Sequence, residues 1–256
     1  MAKNSPTSQY IPKKLHTDAI VEAVCQIYFN SPDLPEIIVG RLSDIESITD
    51  FTINRLPAAN IPNEIRNSDP NFMYQPTMEL VHKQKTHLIR FSEKVVSYHI
   101  TGLGSYVGWE AFRIELLKTF RVLFEKINVT EVFNISFRYI NALSAAKHHI
   151  SDMHDLNFEA IVKNEPLNCP VNLNFVIQND ETHATTTRIA HRHFVQGSLP
   201  ELTTAIVDVE VNTPTSKFKV SKLDDVMSWI DDAHTYGREA FFKLIPDEAI
   251  KKLEEK

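Results

Sequence analysis

Two groups of histidines are the residues best suited to chemistry. His191-Arg192-His193 would set two imidazoles on one strand face, about 7 Å apart. His148, His149, Asp152, His154 and Asp155 crowd a short polar stretch. Neutral imidazoles and carboxylates suit zinc or manganese. A metal-dependent hydrolase or nuclease built on His191 and His193 is therefore one reading. The spacing matches no closed or open metal site, and a solvated strand face beside a polar loop accounts for the same residues. No cofactor is implied. A Gly-x-Ser-x-Gly elbow is missing, and neither Cys25 nor Cys169 adjoins a histidine. With only six glycines, Gly102-Leu103-Gly104 makes neither a phosphate loop nor a dinucleotide fingerprint. Asp208 and Glu210 could open a restriction-nuclease pattern, but position 212 is Asn where such a site needs Lys.

A second constellation depends on strand parity. Glu22, Gln26 and Tyr28 alternate with apolar residues in one segment, Asn134, Ser136 and Arg138 in another, and Asp208 and Glu210 in a third. On neighbouring antiparallel strands these side chains would share the face opposite the core, with Ile20, Val24, Ile140 and Ile206 among them. Apolar residues mixed with Arg, Tyr and paired acids compose an interface or ligand groove. Plain solvation is the competing reading, and catalysis by Glu22, Arg138 and Asp208 a third. An arginine in an otherwise apolar strand needs a carboxylate, which Glu22 or Asp208 would supply. Glu22, Tyr28, Arg138, Asn141 and Asp208 are the expected binding residues, although the Asn141 amide could simply tie a strand end.

The positioning elements follow from periodicity. Ala19, Val21, Ala23, Cys25, Ile27 and Phe29 recur with period two, a strand with one buried face. Asp33 and Pro35 open a short helix presenting Ile38, Leu42 and Ile45. Residues 54–76 contain Pro57, Pro62, Pro70 and Pro76 and read as a long irregular excursion. Glu79 to Phe91 and Lys94 to Thr101 form a hairpin turning at Ser92-Glu93. Trp109, Phe112, Leu116, Phe120, Leu123 and Ile127 recur at helical spacing over Val107 to Ile127, with Trp109 expected as a packing anchor. Glu131 to Leu143 alternates Phe133, Ile135, Phe137 and Tyr139 with polar residues. Further strands are expected near Val171 to Gln178, Thr185 to Val195 and Thr203 to Asn212. Ser221, with Asp224, caps a helix to about Leu244, and Pro246 starts a last helix through Leu253. The fold class is α+β: an antiparallel sheet with long helices packed on one face, read as two loosely similar halves, 18–128 and 129–256, after a flexible segment 1–17.

Composition narrows the partners. The 256 residues carry 27 basic and 33 acidic side chains, a net charge of −6. Up to Asn128 the counts are 14 and 14, so the whole excess lies in the second half. Such a balance disfavours a broad grip on a phosphate backbone. A nucleic-acid face would need Lys83, Lys85, Arg90 and Lys94 to cluster. Two cysteines make no disulfide framework, and no apolar run has the length of a membrane span. Residues 1–14 lack the apolar core of a signal peptide. The expectation is a cytoplasmic protein without membrane association.

Five segments together carry a likeness: Ala19-Ile20-Val21-Glu22-Ala23-Val24, Tyr106-Val107-Gly108-Trp109-Glu110-Ala111-Phe112, Phe137-Arg138-Tyr139-Ile140-Asn141, the strand around Asp208, and Gly237-Arg238-Glu239-Ala240-Phe241-Phe242. In this order, over nearly the full length, the chain resembles a sporadically distributed, uncharacterised family of bacterial and archaeal proteins of about this size. The resemblance implies a full-length architecture and no catalytic signature. Its patchy distribution implies mobile or defence-associated genes, where binding proteins and antitoxin-like partners are common. The expected function is a non-enzymatic protein-binding or regulatory protein that neutralises a partner. Its acidic second half suits a basic one, and a homodimer through the sheet face or edge would use the same surface.

Overall fold

The computed structural model describes residues 11–12, 15, 17–43, 50–195, 199–214 and 218–254. Most of the expected N-terminal segment, Ile45 of the first helix and residues 196–198 lie outside the described residues. The elements run β1 (Ile20–Asn30), α1 (Pro35–Ser43), β2 (Phe51–Arg55), α2 (Asn63–Ser68), α3 (Pro70–Met73), β3 (Met78–His82), β4 (His87–Phe91), β5 (Val95–Thr101) and α4 (Trp109–Lys126). They continue with β6 (Glu131–Ser144), α5 (Ala145–His148), β7 (Ile161–Val162), β8 (Glu165–Pro166), β9 (Asn172–Gln178), β10 (Ala184–His191), β11 (Thr203–Asn212), α6 (Leu223–Leu244) and α7 (Asp247–Glu254).

Among the described residues, nine strands form one antiparallel sheet in the order β2-β3-β4-β5-β1-β6-β11-β10-β9, and β7 with β8 makes a separate two-stranded ribbon. The fold is α+β, as expected. The sheet passes without a break from the first half of the chain to the second through the β1–β6 pair. Ala23, Cys25, Ile27 and Phe29 of β1 and Ile135, Phe137 and Tyr139 of β6 are buried in one cluster. Phe112, Leu116, Phe120 and Leu123 of α4 and Val226, Ile230 and Ala233 of α6 join them there. The apolar stripe of α4 is thus fully used, since each of those four side chains is withdrawn from water. A second cluster joins Ala205, Val207 and Val209 of β11 to Phe242, Leu244 and Ile250 of α6 and α7.

Two β-bulges break the parity on which the sequence reading rests. The β1–β6 register shifts between Ile20 and Glu22 and again between Tyr28 and Phe29. At the first shift Ile20 turns to the main core, whereas Val21 packs with Ala142, Ala190 and Ile206 on the opposite face. At the second, Val132 takes the buried position expected of Phe133, which packs instead beside Tyr28 and Tyr74. Period two survives only between bulges.

Other boundaries also move. Glu79 to Phe91 is two strands, β3 and β4, because residues 83–86 form a turn in which Lys85 adopts a positive φ of 58°. Residues 51–55 form the edge strand β2, which takes in Asn54 and Arg55 from the start of the stretch expected to be irregular. The proline-rich excursion folds into a 3₁₀ turn at Pro57–Asn60 and the short helices α2 and α3, with Asp69 capping α3 through the Asn71 N–H. The N-cap of α6 is Lys222 without a side-chain hydrogen bond, so Ser221 makes no cap there.

Candidate functional site

The face of the sheet opposite the α4 and α6 contacts carries a network of ion pairs. Cross-strand register aligns Asn54, Glu79, Arg90, Ser97, Gln26, Ser136 and Asn212 in a row across seven strands. The adjoining row runs Thr52, Val81, Leu88, His99, Val24, Arg138, Glu210 and Thr186. Neighbours within and between these rows satisfy one another. The Arg90 Nε donates to Glu79 at 2.7 Å, and Ser136 donates its hydroxyl to Glu210 at 2.6 Å. His99 Nδ1 lies 3.2 Å from a Glu22 oxygen, and its Nε2 lies 2.9 Å from the Ser97 hydroxyl.

Arg138 sits at the centre. Its Nε and Nη2 engage the two Asp208 oxygens at 2.7 and 2.5 Å, a bidentate fork. Asp208 is nearly buried, with 8% of its side chain exposed, whereas Arg138 keeps 38%. Glu22 is held below the usual carboxylate range by its His99 hydrogen bond against an opposing burial effect, with the charges of His99, Arg138 and Arg90 adding to the shift. Tyr28 closes the far end. Burial pushes its phenol up, and its ring meets Tyr74 edge-on at 5.3 Å, with Phe133 alongside. The wall that carries Tyr74 is anchored beneath by a buried ion pair, Arg66 to Glu93 at 2.6 Å, joining α2 to the β4–β5 turn.

Glu22, Tyr28, Arg138 and Asp208 therefore share one surface, as expected from parity. Asn141 does not. It is buried on the other side, where its Nδ2 donates to the Val207 carbonyl at 3.0 Å and ties β6 to β11. It belongs to a feature that sequence reasoning missed, a cleft of about 910 Å³ walled by β6, α4, α6 and the chain before β1. Within the cleft Tyr106 hydroxyl, Tyr139 hydroxyl and His234 Nδ1 form a chain with spacings of 3.0 and 3.1 Å, and Trp109 stacks flat on His234 at 4.0 Å. Burial, with the nearby Arg238 guanidinium, lowers the His234 pKa to about 4, and burial raises both phenols. The imidazole is neutral at pH 7 and the hydroxyls stay protonated, so these groups offer hydrogen bonds rather than a base. Tyr106, Tyr139 and His234 are far apart in sequence, and only the buried parity of Tyr139 hinted at their meeting.

The histidine clusters do not assemble as expected. Strand β10 ends at His191, and His193 lies in a 3₁₀ turn, Arg192–Phe194, so the two rings are not on one strand face. Their centroids are 4.5 Å apart, with the His193 N–H directed at His191 Nδ1. His148 is turned inward, its Nδ1 accepting from the Ser144 N–H at 3.0 Å, while Asp152 and Asp155 cap the 3₁₀ turn Met153–Asp155. Among the described residues no group of three or more His, Cys, Asp or Glu side chains could hold a metal ion. Nor does a helix of the described residues have the length and apolarity to cross a membrane. Neither a family model nor a curated protein matches the chain.

Proposed function

We propose that the chain is a non-enzymatic binding protein that engages a protein partner through the ion-paired outer face of its sheet. The observation that carries this reading is the Arg138–Asp208 fork at the sheet centre. It is held from below by a buried carboxylate and remains partly open to solvent above. Glu22, His99, Ser136 and Glu210 around it are fixed by mutual hydrogen bonds, so they present donors and acceptors without first losing rotamer freedom. Val24 and Ile140 lie between the charged groups, and Tyr28, Tyr74 and Phe133 rim the face. Acids and bases nearly balance here, a poor match for a polyanionic backbone and a good one for a mixed protein surface. Regulation or neutralisation of that partner, in the cytoplasm and in an antitoxin-like or defence setting, remains part of the same reading through the family resemblance.

The finer architecture belongs with it. The reading as two similar halves is supported by topology. Central strands β1 and β6 pair, and each is followed by a meander whose last strand, β5 or β11, returns to its flank before a long helix, α4 or α6. Helices gathered on one side would leave the other side free for a partner, and the core clusters of α4 and α6 support that arrangement.

Native mass spectrometry of the protein purified from its own host tests the function. A stoichiometric heterologous protein is the expected result. A chain carrying zinc or manganese, with no protein partner and the metal lost on His191→Ala or His193→Ala, would replace this reading with the hydrolase.

A further inference from the structure

Strand β9 ends the sheet, and six of its seven residues are exposed. Phe175, Val176 and Ile177 leave 39%, 64% and 52% of their surface in water. The segment Asn-Leu-Asn-Phe-Val-Ile-Gln has no charge, proline or glycine. It thus lacks the devices that ordinarily stop an edge from pairing with another strand. The opposite edge, β2, is shorter and ends on Arg55.

Hydrogen bonding fixes which residues face outward. The Asn179 N–H donates to the His183 carbonyl at 2.9 Å, and the His191 N–H donates to the Val171 carbonyl at 3.0 Å. These pairs close the β9–β10 ladder at its two ends, and antiparallel pairs alternate between them. Odd-numbered residues of β9 therefore bond to β10. Asn172, Asn174, Val176 and Gln178 turn their N–H and C=O groups outward.

We propose that two copies of this chain join through β9, strand against antiparallel strand, about a two-fold axis at Phe175. That register pairs all seven residues. Asn174 faces Val176 and Asn172 faces Gln178 as hydrogen-bonded pairs, using only outward backbone groups. Leu173 faces Ile177 and Phe175 faces its own copy as the closer, non-hydrogen-bonded pairs. The near-palindromic order of side chains makes this possible: Asn172 meets Gln178, Leu173 meets Ile177 and Phe175 meets itself, and Asn174 against Val176 is the one pair of unlike character. An uncharged edge is also what an isologous contact requires, because any charge near the axis would meet itself. Leu173, Phe175 and Ile177 lie in register with Ile189, Thr187 and Thr185, on the side of the sheet where Val207, Val209 and Val211 are buried. Their pairing extends that apolar layer across the axis.

The edge is rigidly presented. The turn after β9 is clamped to α6 by Tyr236, whose hydroxyl donates to Asp180 at 2.8 Å, and by the Trp229 indole, which donates to the Thr182 carbonyl at 3.0 Å. The proposal does not rest on the outer-face reading, and a substitution pair at Arg138 and Asp208 is expected to leave the oligomer unchanged.

Sedimentation velocity on the full chain at about 100 μM should give a dimer, dissociating in the micromolar range typical of weaker interfaces. Phe175→Lys sets like charges against each other on the axis and should raise the dissociation constant at least about tenfold. Asn174→Pro should act alike, since it removes an outward N–H that β10 does not use. In a Cys169→Ser background, Phe175→Cys should cross-link under mild oxidation, because a non-hydrogen-bonded pair sets Cα atoms about 4.5 Å apart. Asn172→Cys should stay uncrosslinked, its own copy being about 20 Å away. Cys25 is buried and does not compete. A monomer at that concentration, a dimer indifferent to both edge substitutions, or cross-linking at 172 instead of 175 would each overturn the proposal.

Discussion

At the scale of single residues, the Arg138–Asp208 fork is legible from the sequence in part, because an arginine in an apolar strand demands a carboxylate and Glu22 and Asp208 on the same face could each supply it. The structure selects Asp208. Arg138→Met alone leaves a nearly buried carboxylate without its cation and should cost about 2 kcal/mol in urea unfolding, reduced from the fully buried case because Arg138 is partly hydrated. Adding Asp208→Asn should recover most of that loss, since a neutral pair of similar shape needs no counter-ion. His234 was not legible, because nothing in its local sequence says that Trp109 will lie flat on it. Its pH behaviour follows from burial. The native imidazole titrates near 4, well below the ordinary 6.5, so the unfolded chain binds the extra proton first as pH falls. Stability from this residue is therefore full above about pH 6.5 and declines toward pH 4, by about 3 kcal/mol in all. Urea midpoints measured from pH 7 to 4 should show that decline, and His234→Gln should flatten it.

At the scale of elements, long periodic segments were readable and short ones were not. The stripe of α4 and the alternation in β6 and β11 each bury a full face, and that burial writes itself into residue type. Strand β2 has one partly covered residue and four exposed ones, so no pattern marked it. The β3–β4 turn lacks glycine and proline and relies on Lys85 in the left-handed region. Bulges leave no such mark, because one inserted residue reverses a face without changing composition, which is why strict period two places Phe133 and Val21 on the wrong side. Residues 57–73, read as irregular, are held by Arg66 and Glu93, whose side chains are each only 5% exposed. Glu93→Gln should destabilise the protein by about 3 kcal/mol by stranding the buried guanidinium. Amide hydrogen exchange should then accelerate in α2 and α3 more than in α4, because those helices pack against little else.

At the scale of the whole molecule, one sheet offers two kinds of surface. Its outer face presents neutralised charges suited to a foreign surface, whereas its β9 edge presents an uncharged strand suited to a copy of itself. If both are used, the two outer faces would belong to one continuous sheet, and a dimer would carry two partners. Recovery of partner from host cells, followed by native mass spectrometry, reads the outer face as a binding surface when wild type is compared with the Arg138→Met/Asp208→Asn double variant. The wild-type chain should carry one heterologous protein per subunit, and the double variant, folded by circular dichroism, should have lost it. A partner retained by the folded double variant, or no partner on the wild-type chain, would contradict the assignment of the outer face as the binding surface.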